Sequence, residues 1–172
     1  MTTTSDSPTT DAAVAPIALG PGEGEALWAF GTLAVVKSTG RTTGGRVAVM
    51  DNLAPRGAGS PLHVHHREDE WFYVIEGELT LWVGGEVIKA PAGSFVYGPR
   101  DVPHTFLVSS DEARFLLVVE PAGFEDFFRA VSQPAPSLTI PPPMDPPADP
   151  SPMIAAAAEY GVEILGPPGI PS

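Results

Sequence analysis

Gly57-Ala58-Gly59-Ser60-Pro61-Leu62-His63-Val64-His65-His66-Arg67-Glu68-Asp69-Glu70 runs straight into Trp71-Phe72-Tyr73-Val74-Ile75-Glu76-Gly77. Along an extended strand the side chains alternate faces, so His63 and His65 share one face and His66 takes the other. Glu70 stands at the head of a run of aromatic and β-branched residues, the composition of a half-buried strand. Two imidazoles and a carboxylate on one face make a facial set of metal ligands with positions left open. His104, in Pro103-His104-Thr105-Phe106, opens another strand candidate and is the fourth candidate ligand. The chain has four histidines, and three of them can converge.

The neighbouring residues have blander readings. A lone histidine in a strand is usually an ordinary, partly buried residue. What favours a metal site is the agreement of ligand type and strand phase across His63, His65, Glu70 and His104. His66 is off-register and reads as exposed. Glu68 and Asp69 read as solvated loop carboxylates, either of which can replace Glu70 if the loop is tight. By alternation Phe72 and Val74 share the inward side of Glu70, and Phe106 and Val108 follow His104 inward. These four place apolar walls around the ligands, a pocket suited to a flat, largely apolar small molecule. Trp71, Tyr73 and Ile75 face the other way, toward a second layer or a subunit contact.

Working outward, strand candidates recur with turn signals between them. Trp28–Val36 and Arg46–Met50 precede the histidine stretch. After it come Leu79–Val83, Val87–Ala90, Ser94–Tyr97, His104–Val108 and Arg114–Val119. Many short strands at this spacing indicate an all-β sandwich or barrel. Phe124, Phe127, Phe128 and Val131 fall at helical spacing and predict a short amphipathic helix. Nine prolines between Pro134 and Pro152 read as an extended tether. A last helix is expected over Met153–Tyr160, followed by a frayed terminus from Gly166 to Ser172. The expected organisation is a flexible leader over 1–25, one domain over 26–133, and a tether with a helical tail over 134–172.

Bulk properties narrow the classes. At 172 residues, with 43% hydrophobic and 17% charged residues, the chain suits one folded domain. A net charge of -12 repels phosphate backbones and anionic lipid, so nucleic-acid and membrane partners are not expected. The absence of cysteine excludes disulfides and thiolate chemistry. No basic and apolar leader follows Met1, and no apolar run spans a bilayer, so a cytoplasmic location is expected.

The spacing G-x5-H-x-H-x4-E-x6-G from Gly57 to Gly77 resembles the first signature of the cupin superfamily. The second signature is matched by Gly85, Pro91, Gly93 and His104, with Val108 where the family often has asparagine. The resemblance covers roughly residues 28 to 120. It implies a double-stranded β-helix, the jelly-roll barrel of cupins, with short helices at the C-terminal end. The runs Glu68–Gly77 and Pro91–His104 resemble single-domain cupins related to quercetin 2,3-dioxygenase. That implies one divalent transition metal (Fe, Ni, Co, Mn, Cu or Zn) held by His63, His65, Glu70 and His104. It implies dioxygen cleavage of a flavonol or similar enolic aromatic, with Glu70 also taking the substrate hydroxyl proton. An isomerase, cyclase or lyase on the same metal, and a non-catalytic small-molecule binder, are the alternatives, since cupins include all of these. The family also implies a homodimer, an expectation supported by Leu27, Trp28 and Phe30, which a single small domain need not bury.

Overall fold

The computed structural model describes residues 14–143 and 149–171. The strands are β1 (Glu25–Ala29), β2 (Thr32–Ser38), β3 (Ala48–Pro55), β4 (Pro61–His65), β5 (Asp69–Glu76) and β6 (Glu78–Val83). They continue as β7 (Glu86–Pro91), β8 (Phe95–Gly98), β9 (His104–Val108), β10 (Glu112–Glu120), β11 (Gln133–Pro134) and β12 (Val162–Pro168). Three helices join them: α1 (Gly40–Thr43), α2 (Phe124–Val131) and α3 (Ser151–Glu159). Among the described residues no helix is long and apolar enough to cross a membrane.

The strands form two antiparallel sheets. One runs β11-β1-β2-β3-β10-β5-β8 and the other β12-β4-β9-β6-β7. This is the jelly-roll arrangement expected of an all-β chain with short C-terminal helices. The consecutive strands β4 and β5 sit in opposite sheets: β4 and β9 carry the three inward histidines, while β5 carries Glu70 across the core. Alternation along β5 turns Glu70 inward. Glu70, Phe72 and Val74 are buried, and Tyr73 and Glu76 are exposed. Phe72, Phe106 and Phe115 then pack ring against ring between the sheets, with centroids 5.3 to 6.1 Å apart. Burying an aromatic side chain of this kind contributes ~1.5–3 kcal/mol.

Two glycines of the opening stretch are steric necessities. At Gly77 φ is 77°, and a Cβ would collide with the Glu112 carbonyl oxygen. At Gly59 a Cβ would meet the Phe106 carbonyl oxygen, where the loop bridges to Leu107 of β9. One glycine lets β5 turn into β6, and the other lets the approach to β4 press against β9.

Several details differ from the sequence expectations. The single strand over Trp28–Val36 is two, because the chain turns at Phe30-Gly31, where Phe30 has φ 54°. The start of the proline-rich stretch is held to the fold: Pro134 pairs with Leu27, and Trp28 Nε1 donates to the Thr139 carbonyl at 2.7 Å. Residues 1–13 of the leader and 144–148 of the tether lie outside the described residues. In place of a frayed end at 166, β12 continues to Pro168 and pairs with β4, Val162 opposite His65 and Ile164 opposite His63. Alternating polarity in Val162-Glu163-Ile164 favours this pairing, which the glycine and prolines after it had obscured. Of the bulky N-terminal residues Leu27 is buried, whereas Phe30 stacks on Phe127 at 5.9 Å yet keeps 45% of its surface exposed.

Candidate metal centre

His63, His65, Glu70 and His104 converge, each offering a ligand atom within 4.8 Å of the others. All four are buried. The strands explain the convergence: His63 pairs with His104 across β4 and β9, and Glu70 faces them from the other sheet. Nε2 of His63 lies 3.2 Å from Nε2 of His65, and Nε2 of His104 lies 2.9 Å from Glu70 Oε2.

The far sides of the rings decide what these atoms present. Nδ1 of His63 donates to the Pro61 carbonyl at 2.8 Å, and Nδ1 of His104 donates to the Val102 carbonyl at 2.9 Å. Nδ1 of His65 faces Glu68 Oε2 at 3.3 Å. A carbonyl or carboxylate only accepts, so each neutral ring carries its proton on Nδ1 and turns the Nε2 lone pair inward. Glu70 Oε2 and His104 Nε2, although close, are not aligned as donor and acceptor, and both stay without a hydrogen-bond partner. Buried polar atoms are normally paired. Four inward lone pairs with no N–H or O–H donating to them fit a cation, and ligand distances of ~2.0–2.2 Å for nitrogen and oxygen suit a cluster of this width.

The electrostatics agree. Burial above all, then the neighbouring His104, pushes the His63 imidazole down to about 3, so it is neutral and free to coordinate at neutral pH. Burial opposes ionisation of Glu70, but the surrounding imidazoles, His104 foremost, hold its carboxyl down at about 2. Burial lowers His104 while the Glu70 carboxylate raises it by more, so the net shift is upward. A metal there competes with the proton that Glu70 attracts.

Of the apolar residues expected around the ligands, Phe72, Val74 and Val108 are buried and Phe106 is partly exposed. The off-register His66 is half-exposed, between Asp101 at 2.7 Å and Glu163 at 3.2 Å. Asp69 forms a bidentate pair with Arg100, which holds its carboxyl down at about 2. Glu68 departs from the expectation of a solvated loop carboxylate: it is buried against His65. Sequence reasoning also missed Phe124, whose ring stands edge-on to His65 at 4.5 Å and covers it from α2. Its place at the start of an amphipathic helix was legible, but its partner was not.

Residues 49–120 match the Cupin_2 family, described as a cupin domain. The chain is 32% identical over 119 residues to a quercetin 2,3-dioxygenase of Bacillus subtilis, covering 69% of this chain and 35% of that protein. It is 32% identical over 97 residues to a quercetin 2,3-dioxygenase of Aspergillus japonicus, covering 52% of this chain and 28% of that one. It thus spans about a third of the length of these relatives. Among solved structures, a predicted oxalate decarboxylase of Thermotoga maritima superposes with a TM-score of 0.56 at 15% identity. That match covers 62% of this chain and 99% of that one, and it shows the shared fold.

Proposed function

From the match of residues 49–120 to a cupin domain we propose a metal-dependent dioxygenase that cleaves a flavonol or similar enolic aromatic. The observation that carries the metal is the convergence of His63, His65, Glu70 and His104 with their lone pairs inward. The two similar proteins named quercetin 2,3-dioxygenase support the reaction class.

In this reading the three Nε2 atoms and one oxygen of Glu70 hold a divalent transition metal. When bound, that metal stabilises the anionic charge of the deprotonated substrate. The other oxygen of Glu70 accepts the substrate hydroxyl proton, and the surrounding imidazoles keep that carboxyl ionised beforehand. General-base help of this kind contributes ~10²–10⁴-fold. Phe106, the partly exposed member of the aromatic trio, offers the apolar surface for the substrate ring, backed by Phe72, Val74 and Val108. Phe124 keeps water from His65.

The working unit in this reading is a homodimer. Supporting it, Trp71, Tyr73, Phe95 and Tyr97 line the outer face of the seven-stranded sheet, and Tyr73, Phe95 and Tyr97 are exposed. Exposed apolar patches of this kind mark interaction sites.

Oxygen uptake by metal-loaded protein with quercetin tests the reaction. Stoichiometric uptake supports the dioxygenase. Turnover that persists without oxygen assigns an isomerase, cyclase or lyase instead, and metal binding without turnover of any screened enol assigns a binding protein.

A further inference from the structure

Glu68 and Glu70 are both buried, with 4% and 3% of their surface exposed. Among the described residues neither lies within 4.0 Å of a lysine or arginine; their charged contacts are histidines alone. Burying an unpaired carboxylate costs several kcal/mol, so two side by side need a counter-charge. Three imidazoles in their neutral form supply none. With a divalent cation at the four inward lone pairs, two negative charges meet two positive ones and the enclosed site is neutral.

We propose that Glu68 is a positioning residue of the metal centre: its carboxylate accepts the Nδ1 proton of His65 and supplies the second buried charge that a divalent cation balances. The contact, 3.3 Å from Oε2 to Nδ1, fixes the tautomer that offers Nε2 inward, and a carboxylate behind an imidazole raises its strength as a ligand. At Nδ1, His63 and His104 have only backbone carbonyls, so on that side of the ring His65 alone meets a carboxylate. Phe124 covers the His65 ring and both His65 and Glu68 are buried, so the pair sits away from water, where its electrostatics are strongest. Glu68 belongs to the turn between β4 and β5, so it links the strand of His65 to the strand of Glu70.

The inference rests on the metal centre proposed above and is tested on the full chain with cobalt(II), titrated against a competing chelator. Glu68→Gln keeps the shape and removes the charge. It is expected to weaken cobalt affinity ~10–100-fold and to move the visible absorption bands of the bound ion. Glu68→Asp, which retains the charge, recovers part of the loss. In the metal-free state the Gln variant melts no lower than wild type, because an unbalanced buried carboxylate has been removed. A purely structural role predicts the reverse, a lower melting temperature with or without metal, and that result overturns the proposal. So does a cobalt affinity within about twofold of wild type, given the size expected for such a contact. Wild-type protein that fails to bind one cobalt per chain overturns the metal centre itself, and Glu68's role with it.

Discussion

The Nε2 atoms of His63 and His65 face each other at 3.2 Å, on rings whose Nδ1 atoms already meet a carbonyl and a carboxylate. Two inward lone pairs at that distance repel, and a cation between them turns the repulsion into attraction. Removing one ring therefore removes a ligand and not merely a contact. His65→Ala or His104→Ala is expected to reduce metal content, by elemental analysis, to near background. Wild-type occupancy in both variants would show that these residues do not hold a metal. In the wild type, a free-metal concentration a hundredfold above Kd stabilises the fold by ~2.7 kcal/mol. Chelation is then expected to lower Tm by ~5–10 °C in a chain of this size, read by scanning calorimetry.

Glu70 is asked to do two things, and one substitution separates them. In Glu70→Gln an oxygen remains for the metal, but the amide cannot accept a proton. Turnover with quercetin is expected to fall ~10²–10⁴-fold while metal content falls far less. An unchanged rate at saturating substrate would leave Glu70 as a ligand only.

The tail supports the site through β12, which pairs with β4 at His63 and His65. Ala157 of α3 and Val162 of β12 are buried in the core, and Tyr160 packs on Phe127 at 6.0 Å between centroids. Ending the chain after Pro143 uncovers that packing and the edge of β4. Each lost large apolar contact costs ~1–3 kcal/mol, so a clear loss of Tm and weaker metal retention are expected together. Retention of metal at full strength by the shortened chain would show that β4 holds its histidines unaided.

Exposed aromatic residues on the outer sheet face set the test for the dimer. Tyr73 opposes Phe95 across β5 and β8, and Trp71 stacks on Tyr97 with centroids 5.4 Å apart. Light scattering at micromolar concentration is expected to give twice the 18.0 kDa chain mass. Tyr73→Lys with Phe95→Lys places two charges in the patch and is expected to give the single-chain mass with the metal site intact. A wild-type mass near one chain would remove the dimer from the reading.

What could be read from the residues was whatever a period of two dictates. The inward phase of His63, His65, Glu70, Phe72 and Val74 follows from strand alternation, and all five are buried, although Val64 on the other phase of β4 is buried too. Glu68 escaped because it sits in the turn between two strands, where no period applies and its neighbours are charged and exposed. The β12 strand escaped because its partner is far away in sequence and its own residues include Gly166, Pro167 and Pro168. The break at Phe30-Gly31 escaped because an aromatic residue in the left-handed region runs against propensity.

The pairing of β12 with β4 also bears on the order in which the molecule can fold. Val162 reaches His65 across 97 positions of sequence, and among the described residues β4 otherwise pairs only at His63 with His104. A chain emerging from the ribosome at ~5–20 residues per second must therefore hold the histidine strand with a bare edge for several seconds. An open edge is a template for the wrong partner. Closing it late, through pairings 97 or more positions apart, makes this a step exposed to misassembly at high expression.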